Sequence, residues 1–227
     1  MGMRAAILSD VHANLPALTA VLEELDRQGV DRIFHAGDIV GYYPFPNQVV
    51  REFQSRRITT ILGNHDRAAL HANASGMNPM ASTAARWTAR HLDENSLKFL
   101  RTLRPDMNVF IGALRASMFH GSPRDNDEYV YEIEAEEGLI NMCGCRLLIL
   151  GHTHVPYVVR TSRGTIVNPG SVGQPRDGDA RASYMVFDST KDVFEHRRVE
   201  YDIAKVEAAV FRAGLPEELA LRLWKGE

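Results

Sequence analysis

The sequence predicts an α/β fold. Two observations carry that reading. Short apolar runs with strand character alternate with segments whose apolar residues recur at helical spacing. Three successive runs near the start also end in acidic, imidazole or amide side chains, as expected where strands of a parallel sheet display reactive groups at their carboxyl ends. No internal repeat and no Pro/Gly/Ser linker interrupts the 227 residues. A single domain over residues 1–227 is therefore expected, with helical segments from 202 to 227 packing on it or on a partner subunit.

The elements follow in order. Arg4 to Ser9 reads as a buried strand that ends in Asp10-Val11-His12. Asn14 is a helix N-cap with Pro16 just inside, and Leu15, Leu18, Leu22 and Leu25 give an amphipathic helix that stops near Gly29. Asp31 to Ala36 is the next strand, closing a right-handed β-α-β unit on Gly37-Asp38. A loop with Gly41, Tyr42, Tyr43, Pro44, Phe45 and Pro46 leads into a helix through about Arg56. The strand Ile58 to Leu62 then delivers Gly63-Asn64-His65-Asp66 on a turn, and a helix is expected from Arg67.

Pro79 to Leu103 is helical in two pieces that break near Asp93 to Ser96, with Trp87, Leu92, Leu97, Leu100 and Leu103 as core candidates. Met107 to Ile111 and Leu114 to Phe119 are strands joined at Gly112-Ala113, and the second runs into His120-Gly121. A polar loop and a helix over Glu134 to Met142 precede the strand Cys145 to Leu150, which ends in Gly151-His152-Thr153-His154. A hairpin over Pro156 to Val167 follows, then the loop Asn168 to Arg176. Strands at Tyr184 to Asp188 and Val193 to Glu200 precede helices at Asp202 to Ala213 and Glu217 to Trp224.

Composition narrows the function classes. A hydrophobic fraction of 44% and a charged fraction of 24% are those of an ordinary globular chain. A formal charge of -3 and the lack of a basic tract argue against binding long nucleic acid. No run approaches the roughly 18 apolar residues of a membrane span, and Met1-Gly2-Met3-Arg4 leads straight into a strand. No membrane partner and a cytoplasmic location are expected. Cys143 and Cys145, one residue apart, are expected to be reduced and partly buried.

Five of the nine histidines, His12, His65, His120, His152 and His154, stand in glycine-punctuated stretches directly after predicted strands. Imidazole mixed with carboxylate and amide oxygen suits manganese, iron, zinc, cobalt or nickel, whereas an all-oxygen set would suit magnesium or calcium. Asp10-x-His12 and His152-x-His154 let alternate residues point into one cavity. Asp38 is the natural carboxylate to bridge two ions about 3.5 to 4 Å apart.

The ordered set Asp10-x-His12, Gly37-Asp38, Gly63-Asn64-His65-Asp66, His120-Gly121 and Gly151-His152-x-His154 resembles the calcineurin-like metallophosphoesterase superfamily. Asp10 to Asn14, Gly37 to Tyr42 and Asn168 to Val172 look most like its small bacterial and archaeal phosphodiesterase branch. The resemblance implies a four-layer αββα sandwich of two mixed β-sheets flanked by helices, with two divalent transition-metal ions at one edge, manganese favoured. It implies one ion on Asp10, His12, Asp38 and His154, and the other on Asp38, Asn64, His120 and His152. His65 matches the family's non-ligand active-site histidine, next to Asp66.

The implied activity is hydrolysis of a phosphodiester by a metal-bridging hydroxide. Two divalent ions carry about +4, which Asp10 and Asp38 reduce to about +2, and this favours an anionic phosphorus group. His65, protonated and oriented by Asp66, is expected to donate a proton to the leaving oxygen. Asn168, Arg176 and Tyr42 are expected at the substrate, Tyr42 as part of an aromatic lip with Tyr43 and Phe45. The partner would be a small phosphodiester or a nucleotide-type substrate, with a homo-oligomer left open. Competing readings are a phosphomonoesterase or protein phosphatase, a dinucleoside polyphosphate hydrolase, and a non-catalytic scaffold that keeps the fold.

Overall fold

The computed structural model describes residues 2–227, so Met1 of the expected lead-in lies outside it. Strand β1 (Arg4–Leu8) shows why the chain forms layers. Ala5 and Ile7 point into one apolar cluster and Ala6 and Leu8 into another, and all four are fully buried. Side chains alternate across a strand, so an apolar run without polar alternation must be covered on both faces. Strand β2 (Arg32–His35) pairs parallel to β1, and β3 (Thr59–Thr60) parallel to β2. Strands β9 (Ala182–Asp188) and β10 (Val193–Val199) complete this sheet antiparallel, in the order β10-β9-β1-β2-β3.

The second sheet follows the same logic. It contains β4 (Asp106–Ile111), β5 (Leu114–Phe119), β6 (Leu147–Ile149), β7 (Tyr157–Arg160) and β8 (Thr165–Asn168), in the order β4-β5-β6-β8-β7. Leu147 and Ile149 face the first sheet, and Leu148 faces away. The layer between the sheets is apolar and includes Ile7, Phe34, Ile61, Met118, Ile149, Val167 and Phe187. With helices on both outer faces, this is the expected αββα sandwich.

Helix α1 (Leu15–Gln28) begins at Asn14, whose side-chain oxygen accepts from the Ala17 N–H at 3.2 Å, and ends at Gly29. It covers the outer face of the first sheet with α2 (Pro46–Ser55) and α5 (Glu94–Leu100). Helix α6 (Glu137–Cys143), preceded by a 3-10 turn at Glu132–Glu134, covers the second. The break between α4 (Pro79–His91) and α5 falls at Asp93, which caps Ser96 at 2.8 Å. Leu92 and Leu100 are buried, while Trp87, Leu97 and Leu103 are only partly so.

Helices α7 (Ile203–Arg212) and α8 (Glu218–Lys225) bury Val206, Val210, Leu219 and Leu223 against Tyr42, Tyr43 and α4 of the same chain. No helix among the described residues is long and apolar enough to cross a membrane. Cys143 and Cys145 are both free, with sulfurs 2.8 Å apart.

The segment after α2 differs from its expected form. The strand shrinks to Thr59–Thr60, and helix α3 (Asn64–His71) begins three residues early. The Leu62 N–H turns away to the Arg104 carbonyl at 2.7 Å. The Asp66 carboxylate accepts from the Gly63 N–H at 3.0 Å and starts the helix there. Asn64, His65 and Asp66 thus sit in the first turn of a helix, a more rigid platform than a loop.

The sandwich depends on the layer between its sheets. Phe34→Ala should lower the free energy of unfolding by about 3–5 kcal/mol in urea denaturation. Phe110→Ala, at a side chain 65% exposed, should change it by less than about 0.5 kcal/mol.

Candidate metal centre

Every candidate ligand leaves the end of a strand. Asp10 and His12 follow β1, Asp38 follows β2, Asn64 opens α3, His120 follows β5, and His152 and His154 follow β6. Asp10, His12, Asp38, His152 and His154 all have φ between 50° and 67°, five of the nine non-glycine residues with positive φ among the described residues. This left-handed conformation costs of order 1 kcal/mol or more per residue. Bonds between loops hold it. The Asp10, His12 and Ala13 N–H groups donate to the Gly37, Asp38 and Ile39 carbonyls at 3.0, 2.9 and 2.8 Å, and the Gly173 N–H donates to the Asp10 carbonyl at 2.9 Å.

Two glycines are required by close approach. A Cβ at Gly63 would collide with the Asp38 carboxylate, and one at Gly151 with Ser9 and, at 3.0 Å, with Asp10 Oδ2.

The ligand atoms converge. His154 Nε2 lies 3.1 Å from Asp10 Oδ1 and 3.0 Å from His12 Nε2. His12 Nε2 lies 3.6 Å from both Asp10 Oδ1 and Asp38 Oδ2. His120 Nε2 is 3.3 Å from Asp38 Oδ2 and 3.0 Å from Asn64 Oδ1. Such separations match the edges of a coordination shell with bonds of about 2.0–2.2 Å. Among the described residues, three buried groups of possible ligands result: Asp10, His12 and His154; Asp10, Asp38 and His120; His12, Asp38 and His65. Asp10 and Asp38 each belong to two of them. His65 reaches the edge of the ligand set, and His152 lies beside it, its ring 4.9 Å from that of His120.

Hydrogen bonds orient the imidazoles. His154 Nδ1 donates to the Gln174 carbonyl at 2.6 Å and His120 Nδ1 to the Ala36 carbonyl at 2.8 Å. Each Nε2 lone pair therefore faces the centre, the arrangement that metal-binding histidines need. His152 Nε2 bonds the Asp127 carbonyl at 3.1 Å, leaving Nδ1 for a cation. Asp10 Oδ1 is buried without a hydrogen bond although three imidazoles surround it. A lone pair aimed at a carboxylate is repulsive until a cation lies between them, so the residues fit divalent ions.

The electrostatics agree. Burial works to raise Asp10, but the His154, His12 and His120 imidazoles hold it well below the usual carboxylate range. Asp38 is also buried, yet His120, His65 and His12 hold it low. Burial lowers His154 to about 3 with help from Arg176, and His152 to about 4 with help from His120. Burial opposes a proton on His120 too, but Asp38 and Asp10 raise it to about 10. The centre thus offers ionised carboxylates and neutral His152 and His154 imidazoles, while His120, held between two carboxylates, keeps a proton that a bound cation would have to displace.

Several expected roles change. Asp66 does not bond His65. Its carboxylate accepts from the Asp38 N–H at 3.0 Å, the Val40 N–H at 2.9 Å and the Gly63 N–H at 3.0 Å, clamping the Asp38 loop to α3. His65 is also not held protonated in this structure, because burial and the charges of His12 and Arg176 keep it well below its ordinary value. Asn168 is fully buried. Its amide donates to the Gly151 carbonyl at 2.7 Å and Thr153 Oγ1 at 3.0 Å, and its oxygen accepts from the Gly170 N–H at 2.9 Å, so it shapes the histidine loop from behind.

Tyr42 and Tyr43 are buried and form no lip. The Tyr42 ring packs 4.5 Å from both His12 and His65, and its hydroxyl accepts from Arg176 at 3.1 Å. Arg176 also bonds Gln174 Oε1 at 3.1 Å, which fixes its charge beside the imidazoles. Sequence reasoning missed Gln174, Asp127 and Tyr129. Gln174 uses its carbonyl on His154 and its side chain on Arg176 and Tyr43. Asp127 and Tyr129 come from the polar loop after β5, where no periodicity marks them, and the Tyr129 ring lies 4.0 Å from that of His152.

Comparison with known proteins gives the family of the chain. The profile described as the calcineurin-like phosphoesterase superfamily domain matches residues 3–192. A metallophosphoesterase crystal structure from Sphaerobacter thermophilus is 38% identical, superposes with a TM-score of 0.86, and each chain covers 100% of the other. The Methanocaldococcus jannaschii protein MJ0912 is 34% identical over 239 residues, covering 97% of each chain. The phosphodiesterase YfcE of Escherichia coli is 27% identical over 191 residues, covering 82% of this chain and 88% of that one. The chain belongs to the calcineurin-like phosphoesterase superfamily.

Proposed function

We propose that the chain is a dinuclear, metal-dependent phosphodiesterase acting on a small phosphodiester. The observation that carries this is the pair of buried carboxylates, Asp10 and Asp38, each shared between two groups of converging ligand atoms. Asp10, His12, Asp38 and His154 would hold one ion, and Asp38, Asn64, His120 and His152 the other, with manganese the favoured metal. When bound, such ions supply Lewis acidity toward a water and toward the phosphoryl oxygens. With only two carboxylates in the set, the loaded centre keeps a charge of about +2, suited to a monoanionic diester. The name of the Escherichia coli relative points the same way.

The surrounding residues have distinct tasks. Arg176, held by Gln174 and Tyr42, would pair with a phosphoryl oxygen through charge-assisted hydrogen bonds. His65 keeps Nδ1 without a partner while its backbone N–H donates to Asp38 Oδ1 at 2.8 Å. Nδ1 is buried toward Gly41, so Nε2 would be the ring nitrogen that serves the leaving oxygen. Asp66 is a positioning residue that sets Asp38 through the backbone.

Hydrolysis of bis(p-nitrophenyl) phosphate should require manganese, exceed that of p-nitrophenyl phosphate, and fall by about 100-fold or more in His65→Ala with bound metal retained. Metal-independent turnover, or preference for the monoester, would overturn the reading. Arg176→Ala should raise KM for the diester by about ten-fold or more, as expected for a lost charged hydrogen bond, and leave metal content unchanged. Asp66→Ala strands three buried N–H donors and should cost about 3 kcal/mol of stability in chemical denaturation, with metal content falling alongside. Normal stability in that variant would refute the clamp.

A further inference from the structure

A cleft of about 370 Å³ opens beside the metal centre, within the roughly 300–1,000 Å³ typical of small-molecule sites. Asn64 and His152, two candidate metal ligands, are among the residues that line it. Helix α3 and the loop after it contribute Arg67, His71 and Met77, and the loop after β5 contributes Tyr129. We propose that this cleft is a base-binding subsite in which Tyr129 stacks against the nucleobase of a nucleotide-type diester whose phosphate lies at the metal centre. The proposal rests on the phosphodiesterase reading and names the chemical class of its substrate.

The aromatic surface is exposed where a ligand needs it. Tyr129 is 48% exposed, whereas Tyr42 and Tyr43 are buried. Its ring leans on His152, tilted by 36°, and lies nearly parallel to Tyr131 at 16° with centroids 6.3 Å apart. The exposed part of this ring lies one imidazole away from the candidate metal ligands, at a fixed distance from a phosphate bound there. Stacking on such a face is worth about 1–3 kcal/mol per base and tolerates any base.

The loop that carries the ring is preorganised. Val130 is buried in the core outside the second sheet, and its carbonyl accepts from the Tyr157 hydroxyl at 2.8 Å. The Ser122 N–H donates to the Asp125 carbonyl at 2.8 Å. Arg67 pairs with Asp127 at 2.5 Å, tying α3 to this loop. Holding the ring in place before binding reduces the entropy lost on stacking.

Charge selects the size of the ligand. Among the described residues lining the cleft, Arg67 is the one fixed cation, and Asp127 pairs with it. The cleft lining itself offers no further fixed cation to a second phosphate. The cleft therefore suits a single nucleoside and disfavours a polyphosphate chain, whose added charge would lie beside Asp127 uncompensated.

The test is isothermal titration of the manganese-loaded full chain with AMP and with ribose 5-phosphate, which share the phosphate and differ by the base. AMP should bind about ten-fold more tightly, Tyr129→Ala should remove that difference, and Tyr129→Phe should keep it. Equal affinities in the parent protein, binding of neither ligand, or a preference that survives Tyr129→Ala would overturn the subsite. Hydrolysis of methyl p-nitrophenyl phosphate, which has no base, reports on the reaction separately. Turnover without an AMP preference sinks the subsite alone. An AMP preference without turnover of any diester sinks the reaction and leaves the subsite standing.

Discussion

Two carboxylates without solvent access govern this structure. Asp10 is 0% exposed and Asp38 1%. An unpaired carboxylate in such surroundings costs several kcal/mol, so each must be surrounded by charge or donors. The His152 N–H donates to Asp10 Oδ2 at 3.1 Å and the His65 N–H to Asp38 Oδ1 at 2.8 Å. Imidazoles from both sheets close around the remaining oxygens. The chain has to bring the ends of β1, β2, β3, β5 and β6 to one edge to do this, and the sandwich provides that edge.

The conformational cost of the arrangement falls on the loops and is met by the layers behind them. Left-handed backbone at Asp10, His12, Asp38 and His154 accompanies the convergence of their side chains, and His152, also left-handed, lies beside them. The strands that end in these loops have Ile7, Phe34, Met118 and Ile149 packed between the sheets, so the loop ends cannot drift apart without opening the core. Asp66 adds a third buried carboxylate, which burial and Asp38 push up to about 7 against three backbone donors. Its position in the first turn of α3 joins the Asp38 loop to a rigid element, which is how a preorganised centre is supported from outside its ligand set.

The surroundings of the ligands are chemically uneven. His12, His65 and Tyr42 pack as a group beside Arg176, whose charge also lowers His154 and His152. His152 meets Tyr129 and the Asp127 carbonyl from the loop after β5. A fixed cation and a half-exposed ring thus border one ligand set, which gives a charged and an aromatic part of one substrate separate neighbours.

Much of this was legible in the chain itself. Asn14, Pro16 and Gly29 bound α1 as their chemistry dictates, and the alternation of strands and helices set the fold class. The metal-site candidates stood out because Asp10-x-His12, Asp38, Asn64, His120 and His152-x-His154 all follow apolar runs. The side-chain roles of Asp66, Asn168 and Tyr42 did not, because each depends on which loop the fold places opposite: the Asp66 clamp spans 28 residues and the Arg176 contact with Tyr42 spans 134. Tyr129 lay in a loop without periodicity, so nothing local marked it. The sequence by itself determined which residue types stand at the strand ends, since local propensity and apolar patterning act over a few residues. Only the tertiary structure decided which of them support the centre, which touch one another and which face a cleft, because those are long-range matters of burial and hydrogen-bond satisfaction.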